Sequence, residues 1–138
     1  MSLIKIITEN TNNPKPYEVT LYHRTDSASK FSILKNGFNT SEVWGNKEDL
    51  SESYGDEIIT FSYDIKNPFI LSNDYYKYDY DFNITQNQIE SNRSLYEQYG
   101  GEASSKTFDI LRKHNYDSIL EEGDDICILY PEQIKIYK

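Results

Sequence analysis

Tyr116-Asp117-Ser118-Ile119-Leu120 and, after an acidic turn, Asp125-Ile126-Cys127-Ile128-Leu129-Tyr130-Pro131-Glu132-Gln133-Ile134 set the fold class. The runs Ser118 to Leu120 and Ile126 to Tyr130 lack period-two alternation, which predicts strands buried on both faces. A third segment, Gln133 to Tyr137, closes the chain. Immediately upstream, Ser104 or Ser105 caps a helix that turns Phe108, Leu111 and the stem of Arg112 inward. Thr85 to Tyr99 reads as another helix, with Ile89, Tyr96 and Tyr99 on one face and Gly100-Gly101 as its stop.

The N-terminal half supplies the other strands. Glu18-Val19-Thr20-Leu21-Tyr22 is β-rich and feeds His23. Asp26 or Ser27 caps a short helix through Phe31, Leu34 and Lys35 that ends at Gly37. Asn46 is the expected cap of a second, Lys47 to Tyr54, stopped by Gly55. Glu57 to Tyr63 reads as a strand, and Asn67-Pro68 turns into Phe69-Ile70-Leu71. Asn10 to Pro16 is a loop. Asn73 to Asn83, where tyrosine and aspartate nearly alternate, is a packed surface loop or a flap. With strands at both ends and short helices between, the chain is expected to be an α+β domain, not a repeating βαβ fold.

Composition narrows the class. The 138 residues suit one domain, 1–138, with one core. The single Cys127 excludes an internal disulfide and sits in an apolar run, where a buried, inert thiol is expected. No run reaches the roughly 20 apolar residues that span a bilayer, and the N-terminus does not resemble a signal peptide, so a soluble cytoplasmic protein without membrane association is expected. The net charge of −9 disfavours unaided binding to nucleic acid or anionic membranes. There is no G-x-G-x-x-G, phosphate loop or G-x-S-x-G, and His23, His114 and Cys127 lie too far apart in sequence for a zinc motif.

Three pieces in order carry a resemblance. Tyr22-His23-Arg24-Thr25, with Ile33 and Gly37-Phe38 after it, is similar to the Tyr-His-Gly-Thr strand of ADP-ribosyltransferases of the diphtheria-toxin and poly(ADP-ribose) polymerase branch. Val43-Trp44-Gly45 and Leu50-Ser51-Glu52-Ser53-Tyr54 resemble that family's tyrosine strand and following helix. Asp125 before Ile126-Cys127-Ile128-Leu129-Tyr130, with Gln133-Ile134 eight and nine residues on, resembles the strand that begins with the catalytic acid. Tyr116-Asp117-Ser118-Ile119 and Pro131-Glu132-Gln133-Ile134-Lys135 are similar to the closing segments of compact phage and mobile-element members.

The resemblance implies a split, bent mixed sheet flanked by short helices, NAD as ADP-ribose donor and no metal. It implies transfer, one unit at a time, to a macromolecular target: a protein foremost, with nucleic acid still open. By the same resemblance His23 orients the ribose, the backbone of Arg24 grips the nicotinamide amide beside Thr25, and Trp44 or Tyr54 stacks on the ring. Asp125 stabilises the oxocarbenium, with Glu121, Glu122 and Asp124 as rival acids. Crowded like charges there are expected to raise one pKa. Three positions depart from the family pattern: Arg24 replaces a glycine, Trp44 a tyrosine and Asp125 a glutamate. Arg24-Thr25-Asp26-Ser27 also resembles the start of the cholera-toxin branch, whose later motifs Thr60-Phe61-Ser62 and Glu122-Gly123-Asp124 match poorly. Two other classes stay open: a catalytically degenerate binding module on this fold, and an acidic DNA mimic that blocks a basic groove.

Overall fold

A computed structural model describes residues 17–48, 55–72, 82 and 84–138, apart from the Asp124 side chain. The expected loop Asn10 to Pro16, most of the expected helix Lys47 to Tyr54, and the Tyr/Asp segment Asn73 to Asn83 except Phe82 lie outside them.

The chain is mixed α+β. Among the described residues seven strands form one sheet: β1 (Tyr17–Thr25), β2 (Val43–Asn46), β3 (Glu57–Ile65), β4 (Pro68–Ile70), β5 (Ser118–Leu120), β6 (Asp125–Ile128) and β7 (Lys135–Ile136), in the order β4-β5-β6-β2-β1-β3-β7. Only β4 and β5 pair in parallel; every other neighbour is antiparallel. The described α-helices are α1 (Ser27–Asn36), α2 (Gln86–Gln98) and α3 (Ser105–Lys113).

The expected split, bent mixed sheet is, among the described residues, one continuous mixed sheet. The join between β1 and β2 is narrow, however. β1 shares nine registered pairs with β3 but only Tyr22↔Asn46 with β2. Gly45 makes this approach possible. A Cβ there would stand 2.8 Å from the Phe61 ring tip and 3.0 Å from Leu21 Cβ, so only a residue without a side chain lets β2 come this close. The seam between β1 and β2 is thus a contact of one pair between two better-bonded half-sheets.

The C-terminal strands are buried on both faces, as their unbroken apolar runs predict. Ile126 and Ile128 join Val19, Leu21, Val43, Phe61, Tyr63, Ile70 and Leu120 on one face. Cys127 and Leu129 join Phe69, Leu71, Ile119, Tyr96, Phe108 and Leu111 on the other. Burying side chains of this size contributes about 1.5–3 kcal/mol each. Cys127 is fully buried, and burial pushes its thiol well above its ordinary pKa, as the inert reading requires.

Local signals place the helices. Asp26 caps α1 by accepting from Ser29 N–H at 2.7 Å, and Gly37, at φ +81°, ends it by donating to the Ile33 carbonyl. α1 buries no side chain fully, and Phe31 is left 71% exposed. Thr85 and Gln88 form a reciprocal capping box at the start of α2. Ile89 and Tyr96 are buried as expected, whereas Tyr99 is only half-buried. α2 also covers the edge of the sheet: Asn92 Nδ2 donates to the Ile70 carbonyl at 3.0 Å, and Arg93 Nε to the Leu71 carbonyl at 2.7 Å. On α3, Phe108 and Leu111 are buried and Arg112 Nε donates to the Leu129 carbonyl. No described helix is long and apolar enough to cross a membrane.

Candidate active site

At the seam lies a cleft of about 440 Å³ lined by Tyr22, His23 and Arg24 of β1, Trp44, Gly45 and Asn46 of β2, and Glu102, Glu121 and Asp125. The volume is in the range of small-molecule sites, about 300–1,000 Å³. Pairing explains the convergence. Tyr22 stands opposite Asn46, Asn46 opposite Asp125, and Trp44 opposite Cys127, which puts residues remote in sequence into adjacent rows. Alternation along β5 turns Ile119 to the Cys127 face and Leu120 to the other, so Glu121 returns to the side of Asp125.

His23 lies within β1, two residues short of its end. Its Nδ1 is 2.7 Å from the Trp44 carbonyl. A carbonyl can only accept, so Nδ1 carries the proton, and in the neutral ring Nε2 presents a lone pair. The ring is braced edge-on against Phe38 at 5.3 Å, and Phe38 against Phe61 at 5.6 Å. One hydrogen bond and one aromatic contact therefore fix the imidazole at the seam. Trp44 has two roles, packing partly against the Phe69–Leu111 cluster and lining the cleft.

Arg24 donates from its guanidinium to the Gly55 carbonyl at 3.1 Å. Gly55, at φ +131°, lies so close to Thr25 that a Cβ would be 2.4 Å from the Thr25 oxygen. Thr25 is paired with Glu57 at the end of β1 and does not line the cleft. Tyr54, the other expected stacking residue, lies outside the described residues.

The two central acids differ in surroundings. Asp125 begins β6, and its Oδ1 accepts from Asn46 Nδ2 at 2.7 Å. Asn46 also donates to the Gly123 carbonyl at 2.9 Å and accepts from Glu48 N–H at 2.7 Å, so this buried amide ties β2 to the acidic turn. The helix that Asn46 is expected to cap lies mostly outside the described residues. Asn46 is a strand residue, and the Lys47 and Glu48 after it form a bend.

Glu121 is half-buried, and its pKa is pushed up to about 7. Burial is the main cause; the charges of Glu102, Asp125 and Glu122 add to it, and the Tyr96 hydroxyl opposes it. Glu122 points elsewhere, 3.4 Å from the Arg93 guanidinium and largely exposed.

Five of the expected site residues, His23, Arg24, Trp44, Glu121 and Asp125, thus meet around one cleft. Glu102 and Asn46 were not anticipated. Glu102 comes from the 3-10 turn Gly101–Ala103, which Gly100, at φ +97°, swings away from the end of α2. The double glycine signals the turn but not its target. Among the described residues, no His, Cys, Asp and Glu side chains are grouped to hold a metal ion. Asp74, Asp79 and Asp81, in the Tyr/Asp segment that with the net charge supports the DNA-mimic reading, lie outside the described residues. No family model, no curated protein and no solved structure matches the chain.

Proposed function

We propose that the cleft binds NAD and transfers its ADP-ribosyl group to a macromolecular acceptor, in a fold of the ADP-ribosyltransferase kind. The supporting observation is convergence: a histidine, a tryptophan and an acid on β1, β2 and β6 line one cleft, in the order in which the resemblance names them. His23 Nε2 is available to a ribose hydroxyl, because Nδ1 is committed to Trp44. The indole of Trp44 offers a stacking surface for nicotinamide. Arg24 and backbone amides receive the phosphates, which offsets the acidity of the lining.

In the reaction, the bond between ribose C1′ and the nicotinamide nitrogen breaks, and its electron pair leaves with nicotinamide. Asp125, held by Asn46, stabilises the oxocarbenium-like charge. A lone pair of the acceptor bonds to C1′, and the acceptor's proton passes to Glu121, whose pKa of about 7 suits a general base at neutral pH.

One observation favours a second reading, an NAD-free binding module. The Arg24 side chain reaches across to Gly55 where the family pattern has a glycine, filling space at the mouth.

The test is incubation of the purified chain with labelled NAD and a cell lysate, with nicotinamide release followed in parallel. His23→Ala and Asp125→Ala are each expected to lower both signals by about 100-fold or more. Activity should rise with pH through about 7 as Glu121 loses its proton. Absence of NAD binding by calorimetry, together with absence of labelling, selects the binding module.

A further inference from the structure

The ion pairs between described residues share one property: each lies outside the cleft. Lys30 meets Glu57 at 3.3 Å, Arg93 meets Glu122 at 3.4 Å, and Arg112 meets Asp109 at 2.9 Å. The acids that line the cleft, Glu102, Glu121 and Asp125, have no lysine or arginine among the described residues within salt-bridge distance. They come from separate places: the 3-10 turn Gly101–Ala103, the residue after β5, and the start of β6. Folding therefore gathers them; they are not one solvated run of sequence. Strand order then sorts the charge. β2 lies between β1 and β6, and neighbouring strands are about 4.8 Å apart. Arg24 and His23 of β1 thus stand a full strand away from Asp125, with the uncharged Trp44-Gly45-Asn46 row between them. The cleft is polarised, with a guanidinium at its β1 wall and carboxyls at the opposite one.

We propose that the acid wall is the acceptor subsite, and that the acceptor is a cationic nitrogen side chain, lysine or arginine, presented by a basic polypeptide. The proposal rests on the reading above for the chemistry, but the cation site itself exists or fails without NAD. The phosphates of NAD belong at the Arg24 wall. At the other wall, a cation relieves the repulsion among Glu102, Glu121 and Asp125, whereas an anion adds to it. Glu102 is exposed on its turn, and Glu121 and Asp125 are half-buried. An incoming side chain therefore meets a solvated carboxyl and then partly desolvated ones, where its charge counts for more. The net charge of −9 adds attraction for a basic partner at longer range. The same wall rejects a nucleic-acid acceptor, whose phosphates would face the carboxyls. In the transfer, an N–H proton of the acceptor passes to Glu121 and the nitrogen lone pair bonds to ribose C1′. Nicotinamide leaves with the electron pair of the broken bond.

The test offers the full chain a lysine-rich peptide, an arginine-rich peptide, an acidic peptide of equal length and a single-stranded DNA oligonucleotide. Binding is read by fluorescence anisotropy without NAD, and transfer by incubation with labelled NAD. A basic peptide should bind and become labelled, with the lysine and arginine arms naming the side chain; the acidic peptide and the DNA should do neither. Glu102→Gln should weaken basic-peptide binding about fivefold, and Glu121→Gln about tenfold. Asp109→Asn removes the same charge at an exposed site outside the cleft and should change binding less than about twofold. Equal weakening by all three variants would trace binding to net charge and overturn the subsite. Failure of both basic peptides to bind, or labelling of the acidic peptide or the DNA in their place, also overturns it. So does NAD cleavage that leaves a bound basic peptide unlabelled. In each of these cases nicotinamide release still reports on the enzymatic reading. Binding that depends on Glu102 and Glu121, without any NAD cleavage, would refute the enzymatic reading and leave the cation site standing.

Discussion

Asp125 and Glu121 flank one acidic turn, yet the fold treats them as different chemical groups. Asp125 is held by the Asn46 amide, whereas Glu121 is left among Glu102, Asp125 and the Tyr96 ring. The consequence for stability has a definite sign. The carboxyl of Glu121 has an ordinary pKa of 4.5, and in the folded chain it is pushed up to about 7. Below pH 4.5 both folded and unfolded chains hold the proton, and the folded state bears no penalty. From pH 4.5 to 7 the unfolded chain releases it more readily, so stability is lost across that window and stays lost above it. Glu121→Gln removes the titration. Its melting temperature should exceed that of wild type at pH 8, by the equivalent of on the order of 1 kcal/mol after solvent screening. At pH 4 the two should melt together. A variant less stable than wild type at pH 8 would show that the glutamate makes contacts that outweigh its burial. The sequence shows that these acids are crowded and that one of them would be perturbed. Which one depends on Tyr96 and Glu102, whose approach no local pattern encodes.

At the scale of elements, the side chains that join strands matter more than helix propensity. Asp117 is the clearest case. Its Oδ2 accepts from the Lys66 and Asn67 N–H groups at 2.8 and 3.2 Å, and its Oδ1 accepts from the Ser118 hydroxyl. One nearly buried carboxylate thereby shapes the turn from β3 into β4 and fixes the entry to β5. Its backbone carbonyl also accepts from the Tyr63 hydroxyl at 2.9 Å. Asp117→Ala strands two turn amides and is expected to cost about 2–4 kcal/mol by urea unfolding. By contrast, Thr85→Ala removes the α2 capping box at an exposed helix end and should cost about 1 kcal/mol. Comparable losses for the two would mean that the turn finds other partners. The Tyr-Asp-Ser-Ile motif is visible in the sequence; its structural use is not, because the amides it serves lie on the other side of α2 and α3 in the chain.

At the scale of the molecule, the sheet is uneven. The β1–β3 ladder has nine registered pairs, and the β1–β2 seam has one. Native-state hydrogen exchange should therefore find amides of the β1–β3 ladder protected at least about tenfold more than those bordering the seam. Uniform protection across β2, β1 and β3 would contradict a weak junction. A seam of this kind explains why the cleft lies where it does. Neighbouring strands that pair along their length leave no crevice, whereas two half-sheets touching at one point leave room beside the contact. Gly45 is what lets β2 come close enough to β1 for that one contact.

Most of the described elements are written into local sequence. Apolar runs without alternation specified strands buried on both faces, Asp26 and Thr85 specified helix starts, and Gly37 and Gly100 specified stops, because each depends on neighbours within a turn or two of chain. The order of motifs also nominated His23, Trp44 and Asp125. That these three share a cleft with Glu121, and that Asn46 braces one acid while Glu102 and Tyr96 bear on the other, comes from the tertiary structure. Strand pairing and burial set those relations. Both depend on which distant segments come to lie side by side, and a local pattern carries no record of that.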